Sequence, residues 1–259
     1  MSVRGEVAAH TVQGPRPGQE DRFVVEPIAS AEGVSGYLLA VMDGHGGAGA
    51  AEYCRRELPA VFSLAGPEDA EDALRRAVRT LDEGTRLQRS GTTLSAVCLL
   101  DSHGTAAIAV LGDSPVFALD RGGRLTVSPV HNVRVNLGER RLAEARGGLY
   151  LSGYIVNAET GDGLQMSRGL GDAIMEGIIS REPQVYSVEL GPDSLVVLAT
   201  DGLVDFSAGE EEAFVGEALK GRLDPETLIR WAERRGLRDN ATAVIWRGSG
   251  AAGRRSGLP

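Results

Sequence analysis

Two helical stretches follow each other directly between short, strand-like apolar runs, and this order restricts the folds open to the 259-residue chain. The runs are rich in β-branched residues and are flanked by Gly or Asp, as is typical of strands. They cover residues 37–42, 93–100, 106–111, 195–199 and 241–246. A regular βαβ pattern would place a strand after each helix, and this chain does not follow it. The sequence therefore predicts an α+β fold with antiparallel sheets.

Helices and less regular segments fill the intervals between these runs. Apolar residues at helical spacing predict helices over residues 48–62, 67–87, 210–219 and 225–235. Pro67 is well placed to open the second of them, because proline suits the first turn of a helix. The Gly-rich segment 132–165 is predicted to be a surface excursion, and 248–259 a disordered tail. Residues 1–247 are then expected to form a single domain.

Composition and charge argue against several classes of protein. The net charge of −9 comes without a basic patch, which argues against a nucleic-acid partner. The chain has no long apolar stretch and no signal-peptide core at its N-terminus. We therefore expect a cytoplasmic protein that does not enter a membrane. Cys54 and Cys98 lie among apolar residues, which predicts buried free thiols rather than a disulfide or a metal site.

Acidic residues recur where the apolar runs begin or end. They are Glu20, Asp21, Asp43, Asp113, Asp201, Asp205 and Asp239. Charged side chains are rarely buried unless they are paired or bind a metal, so these carboxylates would meet in one site if the strands share a sheet system. Oxygen ligands suit Mg²⁺ or Mn²⁺. Asp43 is the best candidate to bridge two ions, with the carbonyl of Gly44 beside it.

The same residues allow a plainer interpretation. Asp-Gly after a strand is a common turn, so the residues alone leave turns and a metal site about equally open. His45 would suit a general acid beside metal ions, or a histidine that only packs in its glycine loop. Arg16 would suit a clamp for a substrate phosphate, or a solvated charge. His10, His103 and His131 show no metal spacing and are predicted to be surface or structural residues.

A second signal points to a different class of protein. The glycines of segment 44–49 match the dinucleotide-binding spacing G-x-G-x-x-G, and Glu68 and Asp69 follow about 20 residues on. Two features weaken this interpretation: Asp43 would place a carboxylate near the pyrophosphate, and a second helix stands where a strand is needed. A dinucleotide-binding oxidoreductase is therefore the less favoured alternative.

Eight motifs occur in a fixed order between about Gly14 and Trp246. They are R-x-x-x-E-D at 16–21, VMDGHGG at 41–47, SGTTLSAV at 90–97, LGDS at 111–114, MSRGLGD at 166–172, EPQV at 182–185, LATDGLVDF at 198–206 and DNATAVIW at 239–246. Each motif alone is weak, but the ordered set is specific. The sequence resembles the PPM (type 2C) family of metal-dependent protein serine/threonine phosphatases.

The resemblance implies both a fold and a metal centre. The fold would be a β-sandwich of two mainly antiparallel sheets flanked by helices, in four layers (αββα), with the metal centre at one end. Asp43, Asp201 and Asp239 would bind one ion. Asp43, Glu20 and the carbonyl of Gly44 would bind the second.

The resemblance also implies roles for residues around the two ions. Asp21 would hold metal-bound waters, and Asp113 and Asp205 would form a third, weaker site. Arg16 would clamp the phosphate, and His45 would be the general acid.

Other matching positions are expected to shape the site. Asn240 would shape the loop around Asp239, while Ser167, Arg168 and Asp172 belong to a motif that we take to be mainly structural. The excursion 132–165 would correspond to the flap that affects substrate choice in this family.

The implied activity is hydrolysis of phosphoserine and phosphothreonine by a water that Mg²⁺ or Mn²⁺ activates, without a cysteine nucleophile. The expected partners are phosphorylated protein substrates in a kinase-linked pathway, and the expected state is a monomer. A catalytically inactive binding module with the same fold is the alternative, and it predicts the loss of at least one core ligand. All the core ligands are present in this sequence.

Overall fold

Two five-stranded sheets dominate the computed structural model, which describes residues 4–30, 33–65, 69–206, 209, 213–216 and 224–249. The first sheet has the order β1 (Gly5–Val12), β16 (Ala241–Gly248), β15 (Leu195–Ala199), β8 (Val116–Leu119) and β9 (Leu125–Val127). The second has the order β14 (Gln184–Glu189), β7 (Thr105–Leu111), β6 (Leu94–Leu100), β3 (Gly33–Met42) and β2 (Arg22–Ser30). Neighbouring strands in both sheets run antiparallel.

The apolar runs are continuous because most central strands are buried on both faces. Leu39 and Val41 of β3 point into the core between the two sheets, where they meet residues such as Val244 of β16. Leu38 and Met42 of the same strand point the other way, toward the helices. Successive side chains of a strand alternate between its faces, so one run supplies two cores.

Helices cover the outer faces of both sheets. The described helices of nine residues or more are α1 (Gly49–Ala65), α2 (Ala70–Thr85), α3 (Leu137–Ala145) and α4 (Pro225–Arg234). Leu58 of α1 and Leu74 of α2 pack on the second sheet. Leu228 and Trp231 of α4 pack on the first sheet. The result is the four-layer αββα sandwich, and the predicted fold class is confirmed.

The predicted start of the second helix is wrong. The helix α2 begins at Ala70, and Asp69 caps it by accepting a hydrogen bond from the backbone N–H of Asp72 at 3.1 Å. An aspartate at this position satisfies a free N–H group of the first turn. Pro67 itself lies outside the described residues. Of the predicted helix 210–219, the structure describes only 213–216, which are helical.

The excursion 132–165 is more regular than its glycine content suggests. It contains α3 and a small sheet of β10 (Leu149–Leu151), β11 (Tyr154–Val156) and β12 (Gly163–Leu164). Its elements have their own core, in which Val133, Ala143 and Ile155 meet Met175. Strands of two or three residues are too short to show a period of two, so the sequence pattern could not reveal them. We call residues 132–165 the flap.

A second small sheet lies beside the sandwich and consists of β13 (Leu170–Gly171), β5 (Gly91–Thr92) and β4 (Gly44–His45). Its geometry removes the dinucleotide-binding alternative. In that unit a parallel strand would follow α1, whereas here α2 follows α1 and β4 pairs antiparallel with β5. Asp69 caps α2, and Glu68 lies outside the described residues.

The chain end and the cysteines complete the description of the fold. Gly248 belongs to β16, and the backbone N–H of Ser249 donates to the carbonyl of Arg4 at 2.7 Å. The remainder of the predicted tail, 250–259, lies outside the described residues.

Cys54 and Cys98 are buried free thiols as predicted, and burial raises the pKa of each to about 12. No helix within the described ranges is long and apolar enough to cross a membrane.

Candidate active site

One cavity of about 370 Å³ lies where the ends of several strands meet. Its lining includes Arg16, Glu20, Asp43, Gly44, His45, Asp113, Asp201 and Asp239. These eight candidates come from segments far apart in the sequence. Sheet pairing brings them together, because β3, β7, β15 and β16 all place an end at this edge of the sandwich.

The backbone around Asp43 is fixed from several sides. Its N–H donates to the hydroxyl of Thr93 at 3.0 Å, and its carbonyl accepts from the N–H of Thr93 at 2.9 Å and from the hydroxyl of Thr92 at 3.1 Å. A Cβ atom on the next residue, Gly44, would lie 2.5 Å from the carbonyl oxygen of Glu20. Only glycine allows this approach, which holds the two chain segments against each other.

The central carboxylates repel one another. Burial, followed by the charges of Asp201, Asp21 and Asp113, raises the pKa of Asp43 well above its usual range. Burial and the charge of Asp113 raise the pKa of Asp201 to about 7. The surroundings of Asp43 and Asp201 therefore favour a positively charged ligand.

Asp21 lies one layer deeper than the cavity. Its Oδ2 atom accepts hydrogen bonds from the hydroxyls of Thr200 at 2.9 Å and Thr242 at 2.7 Å. Burial raises the pKa of Asp21 to about 6, although these two hydrogen bonds lower it. Asp21 thus adds negative charge behind Asp43 without lining the cavity.

Asp113 and Asp205 extend the acidic region to one side. The Oδ2 atom of Asp113 accepts from the amide of Asn132 at 2.8 Å, while its Oδ1 atom is buried without a hydrogen-bond partner in the described part of the chain. Burial raises the pKa of Asp113, and the charge of Asp205 adds to this. Asp205 lines a neighbouring cavity of about 390 Å³ together with Asp201 and Asp239.

Arg16 stands at the mouth of the cavity. Its guanidinium group forms an ion pair with Asp239, and its Nε atom donates to the carbonyl of Arg238 at 3.3 Å. The Arg16 side chain remains 54% exposed. It is therefore accessible to a ligand that enters from solvent.

Asn240 ties the Arg16 segment to the start of β16. Its amide nitrogen donates to the carbonyls of Gln13 at 2.7 Å and Gly18 at 2.9 Å, and its Oδ1 atom accepts from the N–H of Glu20 at 2.7 Å. Its own N–H donates to Oδ1 of Asp239 at 2.8 Å. Asn240 thus positions two acidic residues of the site, Glu20 through its side chain and Asp239 through its backbone.

The donor set fits divalent cations. As they stand, no three acidic or histidine side chains of the described residues form a group that could hold an ion. One of the predicted ligands, Asp239, is held by an ion pair with Arg16. The buried, unpartnered oxygen of Asp113 and the raised pKa of Asp43 indicate carboxylates that lack counter-charge. Divalent cations bind clusters of such oxygen donors.

His45 has a partner that the sequence analysis missed. Its Nε2 atom lies 2.8 and 2.9 Å from the two carboxylate oxygens of Asp172. Burial lowers the pKa of His45, but the hydrogen bond and the charge of Asp172 outweigh it, so the net pKa is raised. The only sequence signal for Asp172 is the motif at 166–172, which is predicted to be mainly structural.

The neighbouring motif residues do have structural contacts. Arg168 forms an ion pair with the buried carboxylate of Glu139 on α3, with Nε 3.0 Å from Oε2, and Ser167 also donates to Glu139. His131 is buried as well, accepting from the N–H of Gly112 at 3.0 Å and contacting Gln184 at 2.8 Å. These groups join the flap to the sandwich.

Comparison with known proteins identifies the class of this one. The family described as "Protein phosphatase 2C" matches residues 5–235. The chain belongs to the protein phosphatase 2C family, as the sequence motifs predicted.

Three relatives illustrate the similarity. Protein phosphatase 1F of Homo sapiens is 30% identical over 262 residues, which cover 92% of this chain and 56% of the relative. The PPM Ser-Thr phosphatase MsPP from Mycobacterium smegmatis, solved in complex with cacodylate, is 28% identical with a TM-score of 0.63 over 95% of this chain and 99% of that one. The catalytic domain of PstP, solved with two manganese ions, shares the fold at 23% identity and a TM-score of 0.66, over 96% and 100% of the two chains. The chain spans about half the length of the first curated relatives it matches.

Proposed function

We propose that this chain is a metal-dependent protein serine/threonine phosphatase. The observation that carries the proposal is a single cavity in which buried, mutually repelling carboxylates lie below an exposed arginine. Membership of the protein phosphatase 2C family supports the same activity. Protein substrates with phosphorylated serine or threonine are the proposed class.

The proposed ligands follow from the positions of the carboxylates. Asp43, Asp201 and Asp239 would hold one ion, and Asp43, Glu20 and the carbonyl of Gly44 the second. When bound, two such ions would lower the pKa of a water molecule and make it a nucleophile toward phosphorus. The two manganese ions of the PstP structure support Mn²⁺ or Mg²⁺ as cofactors.

Further acidic residues would tune this centre. Asp21, held by Thr200 and Thr242, would keep negative charge behind the ions and orient their waters. Asp113 and Asp205 would form a third and weaker cation site, which the unpartnered Asp113 oxygen supports.

Arg16 and His45 would act on the two ends of the breaking bond. The Arg16 guanidinium would donate two hydrogen bonds to phosphate oxygens and offset their charge as the water attacks. His45 would give a proton to the serine or threonine oxygen as the phosphorus–oxygen bond breaks. The products are the free alcohol and inorganic phosphate. Tyr154, Leu164 and Met166 at the flap edge line the same cavity and would limit the entry of bulk water.

The two cysteines do not compete for the role of nucleophile. Burial raises the pKa of Cys54 and Cys98 to about 12, so their thiolates are scarce at neutral pH. Neither residue lines the cavity. This supports direct attack by water.

Phosphate release from a phosphothreonine peptide tests the proposal. Protein freed of metal by chelation should release no phosphate, and added Mn²⁺ should restore turnover. Asp193→Asn, which removes an exposed carboxylate at the end of β15 opposite to Asp201, is the matched control and should behave as the parent does. A folded protein that stays inactive at saturating Mn²⁺ would favour the inactive binding module instead. Activity that persists in excess chelator would exclude the metal mechanism.

The remaining expectations extend this proposal. We expect a monomer whose catalytic unit is the single domain 1–247, working in the cytoplasm against the product of a protein kinase. Size-exclusion chromatography with light scattering tests the monomer directly.

A further inference from the structure

The small sheet of β13, β5 and β4 brings His45 and Asp172 together. His45 pairs with Gly91, and Gly91 pairs with Gly171 on its other side. Asp172 follows Gly171 directly, so its side chain comes to the histidine across the glycine strand. The two residues are 127 positions apart in sequence, yet Nε2 lies within 2.9 Å of both carboxylate oxygens.

The strand between them must be bare for this contact to exist. A Cβ atom on Gly91 would lie 2.0 Å from Oδ2 of Asp172 and 2.3 Å from Nε2 of His45. No larger residue fits there without separating the pair. A glycine at position 91 is therefore required for the contact between the side chains of His45 and Asp172.

Asp172 also has an unfavourable backbone conformation. Its φ of 49° and ψ of 54° lie in the left-handed region, which it shares with only one other non-glycine among the described residues, Ser152. Its N–H donates to the carbonyl of Ser90 at 3.1 Å, which holds the backbone in place. Strain of this kind persists where surrounding contacts enforce it, and it is frequent at functional sites.

We propose that Asp172 is a positioning residue for the proton donor of the reaction. Its buried carboxylate accepts the Nε2–H of His45 and fixes the ring, so that Nδ1 carries the proton used in catalysis. Nδ1 is buried without a hydrogen-bond partner in the described part of the chain, and the ring lines the catalytic cavity. This inference rests on the proposed phosphatase function.

The proton balance of the step is simple. A water molecule loses one proton to solvent and its oxygen bonds to phosphorus, while the bond from phosphorus to the serine or threonine oxygen breaks and that oxygen takes the proton from Nδ1. His45 regains a proton from solvent after the products leave. A ring held at Nε2 by Asp172 keeps Nδ1 in one direction throughout, as an orienting carboxylate does in other histidine-based sites.

Substrates with different leaving groups distinguish this positioning role from a structural role. An alkoxide such as that of threonine needs a proton as it departs, whereas p-nitrophenolate is stable without one. A residue that acts through the proton donor should therefore matter for the phosphothreonine peptide and much less for p-nitrophenyl phosphate. A residue that only supports the fold or the metal ions should affect both substrates equally.

The experiment compares four folded proteins at saturating Mn²⁺: the parent, Asp172→Asn, Asp172→Gly and the surface control Asp193→Asn. Asparagine tolerates the left-handed region and keeps the shape of the side chain, while glycine removes the backbone strain. We expect both Asp172 variants to lose about a hundredfold in kcat on the peptide, the scale of general acid catalysis, and less than about threefold on p-nitrophenyl phosphate. His45→Gln should show the same split, and adding Asp172→Asn to it should cost nothing further.

A second measurement does not depend on turnover. In proton NMR of the metal-free protein, the Nε2–H of His45 should exchange slowly with solvent, and Asp172→Gly should remove this protected signal. Equal losses on both substrates, no loss on either, or an unprotected Nε2–H would overturn the positioning role while leaving the phosphatase intact. A parent protein without Mn²⁺-dependent release from either substrate would overturn the proposed function, and this inference with it.

Discussion

Two acidic regions of this protein differ in what surrounds their carboxylates. Glu139 on α3 is buried against Arg168 and Ser167; burial raises its pKa, but these partners outweigh it, so the net pKa is lowered. Asp43 and Asp201 are half-buried against other carboxylates, and desolvation together with the neighbouring charges raises their pKa values. We call the first region, which consists of Glu139, Arg168 and Ser167, the paired cluster. Residues of the chain itself balance the charge of its carboxylate.

We call the second region, which consists of Asp43, Asp113 and Asp201, the open cluster. It needs positive charge from a bound ligand. A buried charge is stable only with a counter-charge or hydrogen-bond donors, and its protein neighbours supply too few of them. The difference teaches how to separate structural from functional acids when both are buried. The criterion is the unsatisfied charge rather than burial itself.

Asp43→Asn should give the largest effect of all changes, and it acts on the open cluster. The amide cannot bridge two cations, so we expect phosphate release to fall by about a thousandfold or more, since metal ions contribute several kcal/mol to such reactions. The metal-free variant should be no less stable than the parent, because the change removes repulsion. Near-normal turnover by the folded variant would refute the assignment of Asp43 as a metal ligand.

Arg168→Met should give the next largest effect, on the paired cluster. It leaves Glu139 buried without its cation, and we expect the free energy of unfolding to fall by about 3 kcal/mol. Urea denaturation measures this. Arg121→Met is the matched control, because Arg121 pairs with Glu189 on the surface, where both side chains are at least 60% exposed. The control should change stability by less than about 1 kcal/mol; equal losses for both variants would remove the contrast between the two kinds of acid.

Metal ions should stabilise the protein in a pH-dependent way. The folded-state pKa values of Asp201 and Asp21, about 7 and about 6, lie above the ordinary aspartate value of 3.8. The metal-free folded state therefore holds protons that the unfolded state has lost, and its stability from these groups falls as pH rises from about 4 to about 7.

Cations bind the deprotonated carboxylates, so the gain from Mn²⁺ should grow over the same interval. At 100 times its dissociation constant, Mn²⁺ should add about 2.7 kcal/mol near pH 7.5 and much less near pH 5. Thermal unfolding with and without Mn²⁺ measures the difference. A gain that does not change with pH would mean that the ions bind elsewhere.

Asp69→Ala gives the smallest effect and sets the baseline outside both clusters. The change removes the N-terminal cap of α2 and should lower the free energy of unfolding by about 1 kcal/mol. Turnover per folded molecule should not change, because Asp69 does not line the cavity. A loss of turnover would show that α2 contributes to the site.

Local sequence patterns correctly predicted those elements whose position depends only on the residues within them. The predicted strand 195–199 has the same ends in the structure. Its five residues are apolar and buried, and the polar residues Thr200 and Asp201 follow them. The predicted start of α2 at Pro67 is wrong because Asp69, two residues further on, caps the helix. The flap sheet was missed because its strands are two or three residues long.

The residues of the candidate site are distant in sequence and meet only in the folded chain. The ordered motifs predicted which acids belong together, and the sandwich places them around one cavity. The partner of His45 was missed, because Asp172 reaches it only through the pairing of three short strands. No periodicity in the sequence encodes such a pairing.

Isothermal titration of Mn²⁺ into the metal-free protein at about pH 7.5 tests the central claim, that the open cluster is a metal centre. The account predicts binding of at least two ions per chain in the parent, loss of that binding in Asp43→Asn, and unchanged binding in Asp193→Asn. Equal binding by the parent and Asp43→Asn, or none by the folded parent, would contradict it.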